Sequence, residues 1–185
     1  MAGSRHAVRT PARMSVAIRP PFTDELPVLR TIERLAGERF RDVGLPEVAE
    51  DEPPSLDVLA RHAGDGRCWV AVDEAAGPIG YVLVDSVDGN AHVEQVSVLP
   101  AHQGSGVGRA LMERVSAWAG ESRMPAVTLT TFNDVPWNAP LYRHLGFRVL
   151  GEDELGPGLR AVRDGETAHG LDPARRVCMR LELSR

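Results

Sequence analysis

The chain has 185 residues, enough for one domain with a sizeable apolar core and too few for two of ordinary size. Its 21 Lys and Arg against 26 Asp and Glu give a net charge of −5, which speaks against nucleic acid as the main partner, because duplex binders carry a basic surplus. Two cysteines, Cys68 and Cys178, sit in apolar strand-like runs and read as buried reduced thiols, and no apolar run approaches the roughly 20 residues that cross a bilayer, so a cytoplasmic protein without membrane contact is expected.

Residues 1–13 have no apolar stretch of the secretory type and read as a disordered leader, with one domain over 14–185. Met14 to Arg19 alternates and is the first strand, ended by Pro20 and Pro21. Thr23 or Asp24 caps a helix to about Glu38, with Leu26, Leu29, Ile32 and Leu35 inward and Glu33 outward. A polar, proline-bearing loop covers Phe40 to Pro54, and Ser55 starts a second helix. From Cys68 the period changes to two, and three runs separated by turns at 75–78 and 88–90 predict an antiparallel meander.

The third run, Val93 to Leu99, is stopped by Pro100 and passes through a glycine-rich turn into a helix marked by Val107, Leu111, Val115 and Trp118. A β-branched strand, Val127 to Thr130, follows, then a helix with Leu141, Tyr142 and Leu145 that Asn138 can cap and Gly146 closes. Two closing strands, Phe147 to Leu155 and Arg176 to Leu183, flank the unusual 156–176 segment, which has room for a short helix over Leu159–Thr167. The order βααβββαβαββ predicts an α+β (α/β mixed) domain: a central mixed, mostly antiparallel seven-stranded sheet flanked by about four helices.

The glycine-rich turn is the candidate anion site. The first amides of a helix lack intrahelical partners and sit at the positive end of the helix dipole, and Gly104, Gly106 and Gly108 leave them open, with Arg109 beside them. It is not a dinucleotide fingerprint, because from Gly104 the third glycine falls one residue early, and the chain has no Gly-Lys-Ser/Thr of a Walker loop. Gln103-x-x-Gly106-x-Gly108 resembles the acyl-CoA signature of the GNAT superfamily, the acetyl-CoA-dependent N-acetyltransferases. Leu141-Tyr142-Arg143-His144-Leu145-Gly146-Phe147 resembles the family's Leu-Tyr-x-x-x-Gly-Phe, in the right order and on its expected element.

The resemblance implies a coenzyme groove made by Val96, Ser97, Val98, Gln103, Gly104, Ser105, Gly106, Val107, Gly108 and Arg109, with Tyr142 by the sulfur as proton donor and the Val98 amide at the thioester carbonyl. Relatives place an asparagine seven residues before the tyrosine; here that position is Val135, and Asn133 and Asn138 flank it as the candidate cofactor contacts. For a general base, Glu94 is the first candidate, since a period of two puts it on one face with Val98; His92, or a water chain, is the alternative. The implied activity is transfer of an acetyl group from acetyl-CoA, without a metal, to a primary amine of a small molecule or protein, by direct attack in a ternary complex. An acyl-CoA sensor of the same fold without catalysis is the alternative, and a homodimer is compatible with either.

Overall fold

The computed structural model describes residues 16–184; the expected leader, and Met14 and Ser15 of the first predicted strand, lie outside the described residues. Seven strands form one sheet in the order β1-β2-β3-β4-β5-β7-β6: β1 Val16–Arg19, β2 Cys68–Asp73, β3 Gly77–Val87, β4 Asn90–Val98, β5 Ala126–Phe132, β6 Arg148–Val149 and β7 Arg176–Glu182. All neighbours pair antiparallel except β4 and β5, which are the parallel strands of the one strand-helix-strand unit. The meander and the closing pair are as expected. β6, however, has only two residues, because Gly151 N–H bonds the Glu154 carboxylate at 2.9 Å and the chain turns there.

Six α-helices accompany the sheet among the described residues, two more than expected: α1 Leu26–Gly37, α2 Pro46–Ala49, α3 Leu56–Gly64, α4 Val107–Glu121, α5 Ala139–His144 and α6 Pro157–Ala168. α4 packs Val107, Leu111, Met112, Val115 and Ala119 onto one face of the sheet, against Val82, Val84, Val93, Val127 and Leu129. On the other face, α1 and α3 bury Leu26, Leu29, Ile32 and Leu59 over Val70, Tyr81 and Leu83. Burying these aliphatic side chains at roughly 1.5–3 kcal/mol each makes the two layers the main source of stability.

Three local expectations are corrected. Neither Thr23 nor Asp24 caps α1; a tight turn, Thr23–Glu25, precedes it, fastened by Arg19 to the Glu25 carboxylate at 2.7 and 2.8 Å. The 40–54 stretch is not a plain loop: a tight helical turn, Glu38–Val43, ends at Gly44 (φ 73°), and α2 follows from Pro46. Its apolar residues Phe40, Val43, Leu45 and Val48 pack on Phe132, Val135 and Trp137, a partner set 80 or more residues away that local pattern does not reveal. Ser55 does cap α3, accepting from Val58 N–H at 3.3 Å.

The third correction is α6. It is a twelve-residue helix, longer than the short one expected, and its N-terminus is held by Asp88 in the β3–β4 turn, whose carboxylate accepts from Gly158 N–H at 2.8 Å and Leu159 N–H at 2.9 Å. Leu159 buries with Leu150, Leu155 and Cys178. Both cysteines are buried and free, and burial pushes the Cys68 thiol up to about 12.

Candidate active site

β4 and β5 pair only over Ala91–Val93 and Val127–Leu129, then diverge. The gap opens into a cleft of about 1130 Å³ that runs from the glycine turn, past the ends of both strands, to α1 and α6. Such a crevice at the carboxyl ends of parallel strands is where ligands of open sheets collect.

At one end stands the glycine turn. Gly104 (φ 75°) and Gly106 (φ 93°) take left-handed conformations that other residues adopt only with strain, and no atom lies within 4 Å of where a Cβ would be. The first bond of α4 runs from Ala110 N–H to Gly106 O, so the amides of Val107, Gly108 and Arg109 have no partner within the helix. This open cradle at a fifteen-residue helix suits a diphosphate in shape and charge. Val107 turns its side chain into the core, and Ser105 bonds back to His102 O, so neither side chain lines the cleft, whereas Gln103, Gly104, Gly106, Gly108 and Arg109 do.

Along β4 the geometry departs from a simple alternation. Leu83 pairs with Gln95 and Val84 with Val93, so Glu94 is the extra residue of a β-bulge. Ala91, Val93, Val96 and Val98 therefore all pack on the α4 side, and Glu94 turns to the opposite face, toward Asp85 and His62 of α3. The expectation that Glu94 and Val98 share a face is wrong, because one inserted residue resets the period of two.

The Val98 peptide is nevertheless well placed. Leu99 N–H bonds Ile79 O at 2.8 Å, so in the antiparallel ladder Val98 and Val96 turn their peptide groups away from β3, into the gap, while Ser97 turns its own toward Tyr81. Gln103 Nε2 donates to Val98 O at 3.0 Å and fixes that residue's orientation. Gln103 is itself held by Arg39, whose guanidinium donates to Oε1 at 2.7 Å and stacks 3.7 Å from the Trp137 ring.

Tyr142 reaches the cleft from α5, its ring edge-on to Phe147 at 5.7 Å. Burial pushes its phenol up to about 12, with Arg176 pulling the other way, so it is protonated at neutral pH. Glu94 is raised above the usual carboxylate range by the protein mass around it, and further by Asp85 and Glu166. His92 is buried, with Nδ1 3.0 Å from Thr128 Oγ1, and burial lowers it to about 4. Asn138 lines the cleft and sits at the N-cap position of α5, but its side chain makes no capping bond. Asn133 is not among the lining residues; its Oδ1 accepts from Arg143 at 2.9 Å.

Sequence reasoning missed Glu33. It faces in, accepts a hydrogen bond from the buried Tyr81 hydroxyl, and is pushed up to about 7 by burial. The signal was present: Leu26, Leu29, Glu33 and Ala36 are spaced three, four and three apart, so Glu33 stands in the apolar stripe of α1. Glu166 and Arg176, bonded to each other and to Thr130, complete the far wall. Among the described residues no group of three or more His, Cys, Asp or Glu could hold a metal ion, and no helix is long and apolar enough to cross a membrane.

Residues 64–149 match the family described as acetyltransferase (GNAT) domain. The chain is 27% identical over 99 residues to the peptidyl-lysine N-acetyltransferase YjaB of Escherichia coli (strain K12), a match covering 54% of this chain and 61% of that protein, so it spans less than two thirds of the curated relative. Its fold is similar to a GNAT-family acetyltransferase from Staphylococcus aureus Mu50 (TM-score 0.70, 14% identity, 92% of this chain and 100% of that one). It is also similar to the N-acetylglutamate synthase of Neisseria gonorrhoeae complexed with coenzyme A and N-acetyl-glutamate (TM-score 0.68, 17% identity, 92% of this chain and 35% of that one). The matched segment, 64–149, holds the glycine turn and Tyr142, and the fold around it is similar to that of GNAT-family acetyltransferases.

Proposed function

We propose that the protein transfers an acetyl group from acetyl-CoA to a primary amine, by direct attack while both substrates are bound, and that the domain doing so spans residues 14–185. The observation that carries this is the opening of β4 from β5 after Val93, which turns the Val98 N–H into a cleft that Tyr142 also lines. The amides of Val107, Gly108 and Arg109, unpartnered within the helix, are suited to a diphosphate, and Asn138 and Tyr142 line the same cleft.

In this reading the amine nitrogen forms the new N–C bond and the C–S bond breaks. Glu94, directly or through a water, takes the proton the amine must lose; it lines the cleft, whereas His92 is buried outside it against Thr128. The Val98 N–H meets the negative charge that develops on the carbonyl oxygen. Tyr142 gives its proton to the departing sulfur and recovers one from solvent. Calorimetric titration with acetyl-CoA, followed by thiol release across a panel of amines, tests the proposal. Saturable binding with amine-dependent release is expected; binding that stays silent with every amine would make the protein a sensor, and no binding would end the reading.

A further inference from the structure

Beyond the coenzyme groove, the rest of the cleft is walled by α1, the 47–51 segment, the β4 bulge and α6, and its charge is one-sided. The arginines that line it and could neutralise a carboxylate are engaged: Arg34 with Glu52 at 2.9 Å, Arg39 with Gln103 and Trp137, Arg176 with Glu166. Glu33 and Glu94 form no ion pair among the described residues. Glu33 has one hydrogen-bond partner, the neutral hydroxyl of Tyr81, and Arg30, one turn earlier on α1, donates to Glu52 instead.

A carboxylate enclosed with a single neutral donor is costly to keep ionised, and fastening α1 to β3 does not require it. Leu29 and Ile32 already bury completely on that face, and an apolar pair in place of Glu33 and Tyr81 would hold the helix at least as well. What an apolar pair would not do is present a negative group to the cleft.

We propose that Glu33 is the specificity residue of the acceptor pocket and that the acceptor carries a second positive charge: one amine reacts beside Glu94 while a distal ammonium docks on Glu33, whose other oxygen Tyr81 holds. The acceptor class is the linear diamines and their longer relatives. Glu47 and Asp51, on the same wall, add to the field that draws such a dication in. The inference rests on the acetyltransferase reading and narrows it.

The test uses the full chain, with acetyl-CoA binding measured first and thiol release then compared for linear diamines of increasing length against the amino alcohols of equal length. At least one diamine is expected to exceed its amino alcohol by about tenfold in kcat/KM, as one charge-assisted contact would give. Glu33→Gln, which still accepts from Tyr81, should raise KM for that diamine about tenfold and leave kcat, and both constants for the amino alcohol, unchanged. A Tyr81→Phe variant keeps the carboxylate and should keep the diamine preference. Turnover without a diamine preference, an equal loss with both acceptors in Glu33→Gln, or thiol release with other amines but with no diamine overturns this inference alone, whereas coenzyme binding that stays silent with every amine overturns the acetyltransferase reading too. Absence of coenzyme binding overturns the acetyltransferase reading and this inference with it.

Discussion

Replacing Tyr142 by phenylalanine removes one oxygen from the cleft and little else. The ring rests edge-on against Phe147 at 5.7 Å, a contact phenylalanine keeps, so the thermal midpoint should move by no more than about 2 °C. The hydroxyl is held up to about 12, so at pH 7 only about one molecule in 10⁵ is ionised, and the group is available solely as a donor. Positioned general acids contribute roughly 10²–10⁴ in rate, so kcat should fall by that factor, about 2.7–5.4 kcal/mol of barrier, while the Kd for acetyl-CoA stays within about twofold. The wild-type rate should show no alkaline loss assignable to Tyr142 below about pH 11. Stopped thiol-release assays give kcat, calorimetry gives Kd, and circular dichroism gives the midpoint. Wild-type turnover in the variant, or a loss confined to coenzyme affinity, would refute the assignment.

Gly106→Ala forces a side chain into φ 93° and should cost about 1–3 kcal/mol of stability, with acetyl-CoA affinity falling alongside; a melt and a titration read both. Asp88→Ala frees two amides at the start of α6 and should cost about 1 kcal/mol, roughly 2–4 °C in midpoint, with KM for the amine rising more than KM for acetyl-CoA because α6 walls the part of the cleft proposed for the amine. Glu33, raised from 4.5 to about 7, binds a proton in the folded state that the unfolded chain has already released, so its contribution to stability is present below pH 4.5 and lost as pH rises through 7. Glu33→Gln should therefore gain on wild type by about 3 kcal/mol between those limits, as urea melts at a series of pH values would show.

The amphipathic periods of the meander and of α4, the cap at Ser55 and the glycine turn are written in stretches of a few residues, because backbone preference and side-chain alternation act over that range. Those local signals sufficed for the strand order along the chain and for the glycine turn at one end of the cleft. The far end of the cleft was less legible. α6 is placed by Asp88, some 70 residues earlier, and the 40–54 segment by Phe132 and Trp137, so neither could be placed from its own composition.

Glu94 and Glu33 show the limit most sharply. Both identities were visible, yet the face of Glu94 depended on a single extra residue in β4, and the partner of Glu33 is a tyrosine of β3 some 48 residues away. Sequence by itself determined most of the elements and the glycine turn at the start of α4, because those rest on dihedral preference and on amides left open at a helix start. Only the tertiary structure decided which carboxylates face the cleft, because that is set by register and by packing between elements far apart in the chain, where one inserted residue turns a side chain to the opposite face.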